Sequence, residues 1–151
     1  MLRFYPIIIM SVLLPKPYNL SAPVSLAAFL VFLLAMLLSS LLITAITLLV
    51  HLLTMFLLDS RGLFSFYSVT SELFTGAIVP LPFMPKVLRM IGYFLPFRCI
   101  SDFPYRVYMG DIMVSEGLSL LFISFAWIII VIFLGYKLSK LALRKAVIQG
   151  G

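Results

Sequence analysis

The sequence predicts an all-α integral membrane protein, and three observations carry that expectation. Of the 151 residues, 64% are hydrophobic and only 11% are charged, whereas a soluble domain is nearer half apolar and a quarter charged. Val24 to Leu58 contains no proline, glycine or acidic residue, and its one ionisable side chain is His51. A second apolar run, Leu118 to Leu134, leads into the cationic cluster Lys137, Lys140, Arg144 and Lys145. The expected architecture is a single transmembrane domain of about three full spans and a partial one. In chain order these are a partial helix over 1–14, a long helix over 24–58 and a helix over 63–79. Two short re-entrant or interfacial helices follow within 83–110, then the last span over 118–138 and a basic cytoplasmic tail over 139–151.

Met1 to Leu14 carries one positive charge and an apolar run that ends at Pro15-Lys-Pro17. No small-x-small cleavage site follows, so it does not read as a signal peptide. With Pro6 inside it and about a dozen residues, it is short for a span and reads as the second half of a transmembrane helix. Pro15 to Pro23 forms a polar turn region. At ~1.5 Å per residue, Val24–Leu58 makes about 50 Å of helix, more than the ~30 Å hydrocarbon core. Ser39-Ser40 supplies no positive φ, so one long helix, tilted or projecting past the headgroups, is expected rather than two. Asp59-Ser-Arg-Gly62 closes it, with Gly62 suited to a C-terminal cap.

Leu63 to Val79 reads as the next span. Ser65, Ser68, Glu72, Thr75 and Gly76 fall at helical spacing on one face, and such a stripe either permits close helix approach or borders a watery pathway. A mid-helix carboxylate facing lipid is unfavourable, so Glu72 is either protonated and hydrogen-bonded or turned to a cavity or partner chain. Structural glue and pathway lining both remain open for it. His51 carries two readings as well: a proton relay or substrate contact, or an interhelical hydrogen bond near Asp59.

From Pro80 to Gly117 no segment offers the ~20 uninterrupted apolar residues of a span. Pro80, Pro82, Pro85 and Pro96 break the chain into amphipathic pieces rich in Phe, Tyr, Leu and Ile. Short helices at, or dipping into, the membrane interface fit that composition. Cys99, the single cysteine, excludes an intramolecular disulfide and a cysteine-built metal site, and it reads as a small buried hydrophobe.

The net charge of +6 would point to nucleic acid in a soluble chain. Here the cationic tail reads instead as a cytoplasmic flank under the positive-inside bias, with no nucleic-acid partner. Tyr136 and Lys137 mark the interface. Counting back from an inside tail, 80–117 lies outside, Asp59–Gly62 inside and 15–23 outside. Lys86, Arg89, Arg98 and Arg106 run against that count. They therefore favour folded re-entrant helices whose charges reach headgroups or pair with Asp102 and Asp111. There is no G-x-x-x-x-G-K-[ST] loop, no His-Glu-x-x-His, no paired cysteines and no nucleophile–base pair, so no catalytic, cofactor or metal site is expected in the chain.

Gly76-Ala-Ile-Val-Pro80-Leu, then Pro85-Lys-Val-Leu, then Tyr93-Phe-Leu-Pro96-Phe97, then Pro104-Tyr-Arg-Val-Tyr108-Met-Gly110 together resemble the type-2 permeases of ATP-binding-cassette (ABC) exporters. In that family a transmembrane helix is followed by two short re-entrant helices on the outer side and then by the last span. The ending Ala146-Val-Ile-Gln149-Gly-Gly151 is similar to the terminus of one bacterial branch. The match extends over nearly the whole chain, most strongly 63–110 and 146–151. Such permeases usually carry six spans, so the chain corresponds to the last three and part of a fourth, and the early coupling helix has no counterpart in it.

The resemblance implies a permease subunit of an ATP-driven exporter in the bacterial cytoplasmic membrane, with a cytoplasmic C-terminus. ATP and Mg would belong to a separate ATPase subunit. The other implied partners are a second permease, identical or related, and membrane lipids. Ser65, Ser68, Glu72, Thr75, Gly76 and His51 would line the pathway or dimer interface. Pro80, Pro82, Pro85, Pro96, Phe97, Pro104 and Tyr108 would form the outer gate. Asp59, Arg61, Lys137 and Lys140 would face the ATPase. A non-transporting accessory, assembly or immunity subunit, derived from a truncated permease, is the alternative. A small channel using Glu72 and His51 is a third reading.

Overall fold

A computed structural model describes residues 22–57 and 59–150, with side chains through Arg144. The expected partial helix over 1–14 lies outside these residues, as does most of the turn over 15–23. The described residues are all helical in their regular structure. They form α1 (Leu26–Thr54), α2 (Arg61–Phe74), α3 (Lys86–Phe94), α4 (Asp102–Met109) and α5 (Val114–Gly150), with 3-10 turns at Leu81–Phe83 and Pro96–Cys99.

Two of these, α1 and α5, are long and apolar enough to cross a membrane. Only 28% of each apolar window is buried within the chain. A core helix of a soluble protein would be mostly buried, so the outward apolar surface is what lipid or other membrane helices must cover. Ser25 opens α1 by accepting a hydrogen bond from Ala28 N at 3.1 Å, and the helix runs unbroken through Ser39 and Ser40 for about 44 Å. The expected 118–138 span and its tail are one helix, α5, of 37 residues and about 56 Å.

The α1–α5 pair is the spine. Buried positions on α1 recur every three or four residues: Ala28, Val31, Ala35, Ser39, Leu42, Ile46 and Val50. Leu120, Ser124, Ile128 and Val131 answer them from α5. Gly117 sits opposite Val31, and Gly135 opposite Leu52, so the two helices run parallel. Small residues at the seam let the backbones approach, the usual solution where no hydrophobic force separates helix from lipid.

Between the spanning helices the chain differs from expectation in two places. Gly62 is not a cap: it lies in the first turn of α2, where Asp59 Oδ1 accepts from Arg61 N at 2.9 Å. The helix expected over 63–79 stops at Phe74, giving 14 residues and about 21 Å. Its end is set by Gly76, at φ 78, a conformation that terminates helices and suits glycine.

The segment from Pro80 to Gly110 folds back on the spine. α3 carries Phe94 to the ring of Trp127, 6.4 Å away, a third of the way along α5. At the following turn Ser39 Oγ donates to Cys99 O at 2.7 Å, halfway along α1. Cys99 is buried with Leu42, Ile46 and Ile128. α4 then returns: Phe103 and Val107 pack with Val31, Ala35 and Leu120, and Gly110, at φ 84, meets Val24. The 80–110 segment is thus a hairpin whose tip reaches the middle of both long helices.

Candidate functional site

Two features stand out on this frame: polar faces on α1 and α2, and an ion cluster inside the hairpin. On α1, Ser40, Thr44, Thr47, His51 and Thr54 alternate at spacings of four and three, which places them on one side of the helix. Ser40, Thr44 and His51 are exposed. Their hydroxyls bond back within the helix: Ser40 Oγ to Leu37 O at 2.8 Å, Thr44 Oγ1 to Ser40 O at 2.7 Å and Thr54 Oγ1 to His51 O at 2.7 Å. His51 Nδ1 lies 2.8 Å from Thr47 O. A carbonyl only accepts, so Nδ1 carries the hydrogen and Nε2 is left to face outward. One of the two readings the sequence offers for this histidine is an interhelical bond. The bond is within α1, and the link to α2 is the Phe64 ring at 5.1 Å. Thr47 Oγ1 and Tyr67 OH, 3.1 Å apart, tie the same two helices one turn further along.

On α2 the expected stripe divides. Ser65, Ser68 and Glu72 are exposed on a face turned from α1, and Ser68 Oγ donates to Glu72 Oε1 at 3.4 Å. Thr75 is buried and Gly76 half-buried, because both pack against the start of α4. Asp102 N donates to Thr75 O at 3.1 Å, and a Cβ at Gly76 would come within 3.3 Å of Asp102 Cβ.

The prolines shape the hairpin by removing donors and fixing φ. Pro80 O accepts from Phe83 N at 3.0 Å, and Pro85 O from Arg89 N at 3.0 Å. Pro82 O takes a hydrogen bond from Arg89 Nη1 at 3.1 Å. Pro96 opens the second 3-10 turn, and Pro104 lies buried in the first turn of α4, where an absent N–H costs nothing. Phe97 meets the Tyr67 ring at 6.4 Å, and Tyr108 meets Phe32 at 5.1 Å.

Asp102 is the polar centre of the hairpin, its side chain only 1% exposed. Arg98 Nε lies 3.9 Å and Arg106 Nη1 3.7 Å from its Oδ2, and Arg106 Nε reaches Asp111 at 3.9 Å. Of the basic residues that could reach headgroups or acidic partners, Arg98 and Arg106 are therefore paired, while Arg89 donates to a backbone carbonyl. Arg98 also lies over the Tyr93 ring, 4.4 Å from its centroid. Burial pushes the Asp102 carboxyl above the ordinary carboxylate range, and the charges of Arg106 and Arg98 oppose that shift. A cavity of about 570 Å³ opens beside the cluster, between Thr75, Pro80, Phe83, Tyr105, Arg106 and Asp111.

The sequence names Asp102 only as a possible partner for the nearby basic residues, and it does not single out the α1 hydroxyls. The signals available were Arg98, Asp102 and Arg106 at four-residue intervals, and the four-three spacing of Ser, Thr and His in an otherwise aliphatic helix. Asp59 and Arg61 sit at the start of α2, and Lys137 and Lys140 lie on α5 over the rings of Phe133 and Tyr136. No group of three or more metal-ligating side chains occurs among the described residues.

A family model described as an ABC-2 family transporter protein matches residues 3–150. No curated protein and no solved structure matches the chain.

Proposed function

The chain belongs to the ABC-2 transporter family, and on that premise we propose that it is a permease subunit of an ATP-driven exporter, lining half of a pathway completed by a second permease. The observation that carries this reading is the pair of outward polar faces, Ser40, Thr44 and His51 on α1 and Ser65, Ser68 and Glu72 on α2. In a membrane, hydroxyls and a carboxylate turned away from the chain's own core are costly against lipid and favourable against water, substrate or a facing subunit. Glu72 is the residue on which the pathway reading chiefly rests.

In this reading α1 and α5 span the membrane, α2 rises from the inner side, and the 80–110 hairpin is re-entrant from the outer side. Its tip beside Ser39 and Trp127 closes the outer end of the pathway as a gate. The inner turn with Asp59 and Arg61 receives the push of a separate ATPase subunit, which holds ATP and Mg. ATP-driven closure of that subunit shifts the helices between inward-open and outward-open populations.

The test is affinity isolation of the tagged chain from its native membrane, followed by transport with Glu72→Gln. An ATPase in stoichiometric amount, and export reduced by Glu72→Gln with membrane insertion intact, are the expected results. A chain that comes down with no nucleotide-binding subunit would sink the exporter reading and leave a non-transporting assembly subunit. Unchanged export with weakened assembly would assign Glu72 to packing.

A further inference from the structure

Outside the polar faces and the hairpin, α1 and α5 part slightly in the half of the pair near Thr54 and leave a groove of about 370 Å³. Leu48, Leu49 and Leu52 of α1 and Val131, Ile132 and Gly135 of α5 line it. A Cβ at Gly135 would meet nothing nearer than Leu52 Cδ1 at 4.0 Å, so the groove has room beside it. The groove changes character at one end, where Tyr136 and Ser139 replace aliphatic side chains.

Next to that polar end, Lys140 Nζ rests 4.4 Å from the centroid of the Tyr136 ring. Lys137 and Arg144 precede and follow Lys140 by three and four residues, which sets all three cations on one flank of α5. No ion pair is formed by any of them among the described residues. Lys137 Nζ lies over Phe133, 4.5 Å from its centroid, so both ammonium groups lean back along the helix toward the apolar run, as cations do at a membrane interface. An apolar slot that ends in a hydroxyl-bearing turn and an unneutralised cationic flank is complementary to one kind of molecule: a hydrocarbon chain attached to an anion.

We propose that this groove binds an anionic phospholipid, with one acyl chain lying between α1 and α5 and the phosphate held by Lys140 and its neighbours Lys137 and Arg144. The site fixes how deep α5 sits and stiffens the end of the spine without touching the polar faces. Binding of lipid here needs no ATP, so it stands or falls independently of the exporter reading.

The experiment uses the chain, with whatever subunits accompany it, in phosphatidylcholine vesicles doped with photoactivatable phosphatidylglycerol. Photoactivatable phosphatidylcholine serves as the control. Phosphatidylglycerol should label Leu48–Leu52 and Val131–Ser139 in preference to phosphatidylcholine. Lys140→Gln should lower that labelling about fivefold, the worth of one basic residue at an anionic surface. Gly135→Phe, which fills the slot, should abolish it, while Gly135→Ala should leave it intact because its Cβ finds only ordinary contact. Equal labelling by the two lipids would overturn the site, as would Gly135→Phe and Lys140→Gln both without effect. If Lys140→Gln instead releases a co-isolated ATPase and lipid labelling is unchanged, the cationic flank is a protein surface and the lipid site is wrong.

Discussion

Along α1 and α5 the buried positions recur every three or four residues for the length of the pair, and nearly all are small or aliphatic. Between Pro80 and Gly110 no regular piece exceeds nine residues, and beside the apolar packing of Cys99, Phe103 and Val107 the segment is placed by a few polar contacts. They are Ser39 to Cys99 O, Asp102 N to Thr75 O, and Asp102 between two arginines. The spine spreads its stability over many similar contacts, so the loss of any one is tolerated. The hairpin adds a few single polar anchors to its apolar packing, so the loss of one should be felt more there than the loss of one contact along the spine.

The largest effect should come from the hairpin's central anchor. Asp102→Ala leaves Arg98 and Arg106 without their shared carboxylate in a poorly solvated place, and breaking a buried pair from one side costs about 3–5 kcal/mol. Hydrogen exchange across 96–109 should accelerate by about two to three and a half orders of magnitude, at about 1.4 kcal/mol per decade, while amides of α1 and α5 hold their protection. Equal loss in both regions would mean that the hairpin and the spine fold as one unit and that the contrast is false.

A second way to break the comparison is at the joint. An added Cβ at Gly117 would lie 3.1 Å from Val31 Cγ1 and 3.3 Å from Val107 Cγ2, so α1, α4 and α5 all converge there. Gly117→Leu overpacks that point at a cost of about 1–3 kcal/mol. Unlike Asp102→Ala, it should lower protection in α4 and in the adjoining turns of both long helices. Thermal melting in detergent, followed by helicity, should show one broadened transition rather than loss of the hairpin alone.

What was legible in the sequence follows the same division. The helical membrane class could be read from composition, because the aliphatic run 24–58 and the apolar run before Lys137 need no distant partner to be recognised. The end of α2 could not. Leu73 to Val79 is as apolar as what precedes it, and the helix stops because Gly76 turns to let Asp102 approach, a contact made across 26 residues of sequence. The inner bond of His51 was missed for a local reason: an i−4 carbonyl competes with any interhelical acceptor and is always within reach. Arg98 and Arg106 are neutralised by Asp102 and Asp111, and charges neutralised inside a fold do not report orientation, so those two do not bear on the positive-inside count.

A finer contrast separates two buried serines. Ser39 Oγ donates to the backbone carbonyl of Cys99 at the hairpin tip and also lies 2.6 Å from Ala35 O, whereas Ser124 Oγ donates to Leu120 O of its own helix and meets the tip only through the weakly bonding Cys99 thiol. Interhelical hydrogen bonds in membranes are worth about 0.6 kcal/mol, up to ~1.7. Ser39→Ala should therefore cost of that order, read as faster exchange at the hairpin tip, while Ser124→Ala, which loses only a weak thiol contact to the tip, should cost less. If the two serines prove equivalent, the tip is held by apolar packing of Cys99 and Phe97 and not by the bond.

The smallest effect is the dependence of the hairpin on pH. Burial raises the Asp102 carboxyl above the ordinary range, against the pull of Arg106 and Arg98. Well below that range the carboxyl is protonated in the folded and the opened hairpin alike, and above the raised value it is ionised in both. Between them the folded hairpin binds more proton than the opened one, so its stability declines as pH rises through the window. The decline stays smaller than the loss in Asp102→Ala, since the ionised carboxylate still faces both arginines. Protection of the 96–109 amides, corrected for intrinsic exchange, should fall as pH is raised from the carboxylate range. Asp102→Asn, which cannot titrate, should flatten that slope. A slope of the opposite sign would show that the two arginines outweigh burial, and that the cluster is a closed ion pair and not a strained one.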